Sequence, residues 1–310
     1  MKFLLSLAAL LSVAAAVSPT VCAKQSNHPH IYDMAGVRIY VNDMKSSRLF
    51  YSGVTNTKRD CDWCETKEPS AFRLPSGQFL LLTQLVVRDG ISRIAEVSFN
   101  ADNLKELAHL FKKNKIRYEA TVEDGVFMMI RVVDPESNLL AFLDKDAPRQ
   151  YNAYYPDADP NAALKERILH VGLVVKNREA MDHFYKDILG FRLYWQGGSA
   201  EGQTDWVDMQ VPDGTDWIEY MLNVPAVADQ QTLGKLNHIS LGVADVRKAG
   251  RELMESRLNL RVTDEPKIAR DGKWQLSLYD PDQTRIELLA FTPVEKPCCA
   301  DYTASHPAPY

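Results

Sequence analysis

An α+β fold made of four copies of one small unit is what this sequence predicts, and three observations predict it. Two histidines each find a glutamate 49 residues downstream, His170 with Glu219 and His238 with Glu287. Each histidine opens an apolar strand-like run, His170-Val-Gly-Leu-Val-Val and His238-Ile-Ser-Leu-Gly-Val. Each glutamate sits inside another, Trp217-Ile-Glu-Tyr-Met-Leu and Arg285-Ile-Glu-Leu-Leu-Ala. The segment after His170 runs without a gap alongside the segment after Gly36, and Tyr185 falls on Tyr51. Finally, Asp134-Pro-Glu-Ser-Asn-Leu-Leu-Ala141 matches Asp280-Pro-Asp-Gln-Thr-Arg-Ile-Glu287. Self-similarity of this kind is the mark of repeated structural units. Here the units begin near residues 35, 94, 168 and 236.

Taken in chain order, residues 1–23 read as an export signal. Lys2 is the charged start, Phe3 to Val17 is apolar, and Val21-Cys-Ala23 offers small residues for cleavage. Periplasmic or extracellular localisation is the expectation, without a membrane anchor, because no later segment is long and apolar enough to span a bilayer. Residues 30–147 then hold two units, 148–165 a linker rich in Pro, Asp and Tyr, 166–293 two more units, and 294–310 an irregular tail. Each unit reads as a strand, a helix and then alternating strand-like stretches. Asn103–Lys115 and Val246–Arg257 carry apolar residues at helical spacing. Asp205-Trp-Val-Asp-Met-Gln-Val and Gln275-Leu-Ser-Leu-Tyr alternate as half-buried strands do. The Asp-Pro pairs and Pro212-Asp-Gly214 mark turns.

The net charge of −5 disfavours nucleic acid and anionic membranes as partners. Cys61, Cys64, Cys298 and Cys299 follow the export signal, and in an oxidising compartment they read as disulfide partners. A bridge from the 61–64 loop to the tail would staple the C-terminus to the N-terminal half, although the sequence leaves the connectivity open. A duplicated module with one imidazole and one carboxylate supplies four ligands when its copies pack together. That set suits one divalent metal of the Ni, Zn, Fe or Mn kind. Unpaired carboxylates at Glu219 and Glu287 would be costly inside apolar stretches, and a cation offsets that cost. His109 and His183 sit on helices and read as surface or packing residues. Lys273 and Tyr279 flank a strand of the fourth unit with no assigned role.

These residues resemble the vicinal oxygen chelate superfamily, which includes glyoxalase I, extradiol dioxygenases and the bleomycin resistance proteins. The resemblance rests on the βαβββ unit, the histidine on its first strand, the Gly190-Phe191 after the helix and the Asp280-Pro-Asp-x-x-x-Ile-Glu287-Leu ending. It implies four βαβββ modules paired into two cupped, incomplete barrels. It places His170, Glu219, His238 and Glu287 on the four ligand positions of a glyoxalase-I-like site. It also implies a small-molecule substrate with oxygens on adjacent carbons, with Glu287 as the base and Glu219 next. In the N-terminal half, Gly36, Leu81, Ala95 and Ala141 stand at the corresponding positions and cannot bind a metal, so that pair of modules reads as scaffold. Lyase or isomerase chemistry is the first expectation. A ring-cleaving dioxygenase is the alternative, matching His170, His238 and Glu287, and a non-catalytic ligand-binding protein is the third.

Overall fold

The computed structural model describes residues 30–55, 70–145, 167–225, 228–255 and 264–309. The expected export signal of residues 1–23, His28, Cys61, Cys64 and the expected linker of residues 148–165 lie outside these residues. The first unit is β1 (Ile31–Val41), α1 (Met44–Val54), β2 (Ser70–Arg73) and β3 (Phe79–Gln84). The second is β4 (Ile94–Ala101), α2 (Leu104–Lys113), β5 (Tyr118–Glu123), β6 (Val126–Val133) and β7 (Leu139–Asp144). The third is β8 (Arg167–Val174), α3 (Arg178–Asp182), β9 (Arg192–Gly197), β10 (Trp206–Gln210) and β11 (Trp217–Met221). After α4 (Gln230–Leu236) comes the fourth: β12 (His238–Val243), α5 (Val246–Glu255), β13 (Lys267–Ile268), β14 (Trp274–Tyr279) and β15 (Arg285–Ala290).

Each unit turns from strand to helix by one device. Asp43, Asn103, Asn177 and Asp245 accept the backbone N–H three residues on, from Ser46, Glu106, Ala180 and Lys248. A short polar side chain at this position satisfies an otherwise orphaned helix N–H. α3 runs on into a π-helical stretch, His183–Ile188, whose wider turn buries Phe184, Tyr185 and Ile188. The sequence pattern did not announce this change of pitch.

The strands form two curled sheets. One has the order β2-β3-β1-β4-β7-β6-β5 and the other β13-β14-β15-β12-β8-β11-β10-β9. In each, the first strands of two units pair antiparallel at the centre, β1 with β4 and β8 with β12. The last strand of each unit then lies parallel to its own first strand. Alternate residues such as Val37, Ile39, Val97, Phe99, Leu140 and Phe142 are buried toward the helices. The other face lines the cup. Among the described residues, no helix is long and apolar enough to cross a membrane.

The two halves meet through a repeated pair of contacts. The Tyr51 hydroxyl donates to Asp280 Oδ2 at 2.9 Å, and the Tyr185 hydroxyl donates to Asp134 Oδ2 at 3.1 Å. Each aspartate also closes its own turn. Asp280 Oδ1 accepts from Asp282 and Thr284, and Asp134 Oδ1 from Glu136 and Asn138. Beside them the Asn42 N–H donates to Asp282, and the Lys176 N–H to Glu136. The tyrosine and aspartate repeats noted in the sequence are thus the two sides of one interface used twice.

Cys298 pairs with its neighbour Cys299, so of the connectivities the sequence left open the tail does not take the staple to the 61–64 loop. The tail stays in its own half: Trp195 Nε1 donates to the Ala300 carbonyl, and the Thr303 N–H to the Tyr194 carbonyl. Its described residues form no helix or strand, but they pack Tyr302 and Ala304 onto the aromatic cluster around Tyr194 and Trp217.

Burial raises the Asp280 carboxyl from 3.8 to about 6. A carboxyl that holds its proton better when folded lends stability that is complete below about pH 3.8 and is lost as pH rises to about 6. Asp280→Asn should flatten that slope in urea midpoints measured between those pH values. Tyr51→Phe should lower stability by about 1 kcal/mol at neutral pH.

Candidate metal centre

The central pairing of β8 with β12 sets His238 opposite Gly172 and His170 opposite Ser240. β11 brings Glu219 beside Gly172, and β15 brings Glu287 beside Ser240. All four side chains therefore rise from one face of four adjacent strands. His170 Nε2 lies 2.9 Å from His238 Nε2. Glu219 Oε2 lies 3.1 Å from His238 Nε2 and 3.5 Å from His170 Nε2, and Glu287 Oε2 lies 3.5 Å from His170 Nε2. His170, Glu219 and His238 form the tightest group, each offering one ligand atom within 4.8 Å of the others. The histidines and Glu287 are buried, and Glu219 is the most open of the four.

Gly172 makes this approach possible. A Cβ there would come within 2.1 Å of the His238 ring. The Leu236 carbonyl lies 2.9 Å from His238 Nδ1 and can only accept, so we place the proton on Nδ1 and the free lone pair on Nε2. Arg285 Nη2, 2.8 Å from the same Nδ1, then stands beside the ring as a charge and not as its donor. Burial holds the His170 pKa well below the usual imidazole range, with His238, Lys273 and Arg285 adding to the effect. Burial raises Glu287, against Arg285 and His238. Two neutral nitrogens and two carboxylates facing one point fit a divalent cation of the intermediate kind.

Around this group stand charges to which no role was assigned from the sequence. Asp208 lies directly opposite Glu219 across β10 and β11, is buried, and is raised well above the carboxylate range by burial and by Glu219. Lys273 is fully buried. Its ammonium donates to the Tyr194 hydroxyl at 3.1 Å and sits 4.6 Å from the centre of the Trp217 ring, which itself covers the His170 ring at 4.7 Å. Burial lowers the Lys273 pKa, while Asp271, Asp208 and both glutamates oppose that shift. The Tyr302 hydroxyl of the tail donates to Asp271, and Tyr194 meets His306 Nδ1 at 2.6 Å. Asp208 Oδ1, Trp217 Nε1 and His170 Nδ1 have no hydrogen-bond partner among the described residues. The only advance signal was alternation, which puts Asp208 on the inward face of its strand. Lys273 lies just outside β14 and carried no pattern.

Of the other aromatics, Trp195 is buried against the tail, while Trp274 is half-buried with Arg247 over its ring. His183 pairs with Asp187 on the exposed helix face, and His109 is exposed.

Residues 167–288 match the family model of the Glyoxalase/Bleomycin resistance protein/Dioxygenase superfamily. Among solved structures, a catechol 2,3-dioxygenase is similar at 13% identity and TM-score 0.60, over 90% of this chain and 95% of that one. Homoprotocatechuate 2,3-dioxygenase from Arthrobacter globiformis is similar at 18% identity and TM-score 0.59, over 86% and 82%. An extradiol ring-cleaving dioxygenase from B. fuscum is similar at 18% identity and TM-score 0.59, over 84% and 72%. At these identities the likeness is one of fold. No curated relative matches the chain by sequence.

Lys273→Ala removes the buried cation whose charge acts on Asp208 and Asp271 and should cost ~3–5 kcal/mol of stability in urea unfolding at neutral pH. Lys273→Arg should recover only part of that loss, because the larger head must fit under the same rings.

Proposed function

We propose, for a protein whose residues 167–288 belong to the Glyoxalase/Bleomycin resistance protein/Dioxygenase superfamily, a divalent-metal enzyme acting on a small substrate with oxygens on adjacent carbons. The observation that carries this reading is the convergence of His238 Nε2 and the carboxylates of Glu219 and Glu287 within 3.5 Å of His170 Nε2 in a buried cup. His170, His238, Glu219 and Glu287 would hold the metal, which when bound supplies a Lewis acid for a substrate carbonyl. The metal is Ni, Zn, Fe or Mn.

The chain's own groups then do the proton work. We assign Glu287 as the base. It takes the proton from the hydroxyl-bearing carbon beside the carbonyl, and the C–H electron pair moves toward the carbonyl oxygen; Glu287 then returns that proton to the former carbonyl carbon while the hydroxyl proton passes to the former carbonyl oxygen. Its buried position suits a carboxylate whose proton affinity must sit near working pH. Glu219, the more open of the two, is the second candidate. Trp217 and the tail-covered aromatic wall exclude water from one side of the site. This gives isomerase or lyase chemistry of the glyoxalase-I kind, in a protein we take to be exported through residues 1–23.

A second reading has a specific observation behind it. The structural neighbours are extradiol dioxygenases and share the arrangement over most of this chain. Two histidines and one glutamate would suffice for that chemistry, and Glu219 would then be an extra carboxylate.

Elemental analysis of gently purified protein should find about one divalent metal per chain, lost in His170→Ala/His238→Ala; no metal under any loading condition would remove both enzymatic readings. Glu287→Gln should keep metal yet lose exchange of a carbonyl-adjacent proton into deuterated water. Oxygen uptake on addition of catechol to the iron-loaded protein, with ring opening, would move the assignment to the dioxygenase.

A further inference from the structure

We propose that the N-terminal cup is a binding site for a small organic monoanion, a carboxylate on an apolar body, held by Arg38 and Arg131. The strand ladders equate the two cups position by position. Gly36 lies beside Phe79 as His170 lies beside Trp217, and Ser98 lies beside Ala141 as Ser240 lies beside Glu287. Arg38 is paired with Leu81 and Glu96 as Gly172 is paired with Glu219 and His238. This register corrects the expected match of Ala95 with His238. The residue at that place is Glu96, a buried carboxylate.

Where one cup gathers imidazoles and carboxylates, the other gathers guanidinium groups. Arg131 Nε donates to Glu96 Oε2 at 2.7 Å, and Arg38 Nε lies 4.0 Å from Glu96 Oε1. Arg131 reaches Glu96 past Ala141, its direct neighbour on β7, where only a methyl group stands in the way. A glutamate there, as in the other cup, would compete for the guanidinium. Beside the two guanidinium groups stand the buried carboxylate of Glu96 and, opposite Arg131 on β5, the exposed Glu119, so the interior of the cup keeps a modest positive charge. That suits a single carboxylate better than a doubly charged phosphate.

The exposures agree. Glu96 is 6% exposed, but Arg38 is 26% and Arg131 31%, so both heads open onto the cup. Arg38 Nη1 also meets Thr83 Oγ1 at 3.3 Å; Arg38 Nη2 and both terminal nitrogens of Arg131 have no hydrogen-bond partner among the described residues. A guanidinium fork of this kind matches a carboxylate with two parallel bonds. The period of two along the strands puts Phe79, Leu81 and Met129 on the same face, giving the apolar body its contact.

Calorimetric titration of the full chain with benzoate at low salt tests this. One site is expected. Arg38→Gln leaves the Arg131–Glu96 pair intact and should weaken binding roughly tenfold. Glu96→Gln frees a guanidinium group and should tighten it several-fold, which a merely structural ion cluster would not do. His170→Ala/His238→Ala should leave benzoate affinity unchanged, whatever becomes of the metal site. No binding at millimolar benzoate, or equal affinity in Arg38→Gln, overturns the proposal. So does loss of binding in the double-histidine variant, which would put the anion in the other cup.

Discussion

Asp134 and Asp280, two buried aspartates, hold the arrangement on which both cups depend. Each folds its own turn by accepting two backbone N–H groups, and each receives a tyrosine hydroxyl from the opposite half. A buried carboxylate without such partners would be costly, so the tyrosines and the turns stand or fall together. The turn at Asp280 leads into β15, which carries Glu287 seven residues on. The turn at Asp134 leads into β7, which carries Ala141. Docking the halves therefore also sets the strand that decides what each cup can hold.

From a common backbone the two cups have taken opposite electrostatics. In the C-terminal cup, Gly172 yields its space to the His238 ring, and the carboxylates Glu219, Glu287, Asp208 and Asp271 outnumber the cations Lys273 and Arg285. Such an excess of buried negative charge favours a cation at its centre. In the N-terminal cup the equivalent of Gly172 is Arg38, and the Phe79 ring fills the place of the His170 side chain; a Cβ at Gly36 would meet it at 2.3 Å. Neither set of side chains fits in the other's frame. A glycine in one cup and an alanine in the other decide which long side chains can cross it.

The units, their helix caps and the four metal-facing residues were legible because each depends on near neighbours in the chain. Asn103 and Asn177 cap helices by reaching three residues ahead, and His170 and His238 stand in strands β8 and β12, whose apolar runs are visible in the residues that follow. The match of Glu96 was missed because Ala101-Asp102 and Ala244-Asp245 invite an alignment one residue out, and only the ladders of β4 with β1 and β7 fix the register. Asp208 and Tyr302 escaped notice, and Lys273 was left without a role, for a related reason. A buried lysine looks like any other lysine until the rings above it are in place.

By itself, then, the sequence determined the repeat, the strand and helix order, the inward face of the strands that carry His170, Glu219, His238 and Glu287, and the paired His and Glu spacing, since these follow from local periodicity and from side-chain reach over a few residues. Tertiary structure decided which strands became neighbours. It set Arg131 over Ala141 against Glu96, seated Lys273 under Trp217, turned α3 into a wider helix and paired Cys298 with Cys299 instead of with the N-terminal half. Most of those contacts join groups far apart in the chain or depend on the packing around them. Their energies come from desolvation and charge within the closed cup, which no stretch of sequence can express before the sheets have curled.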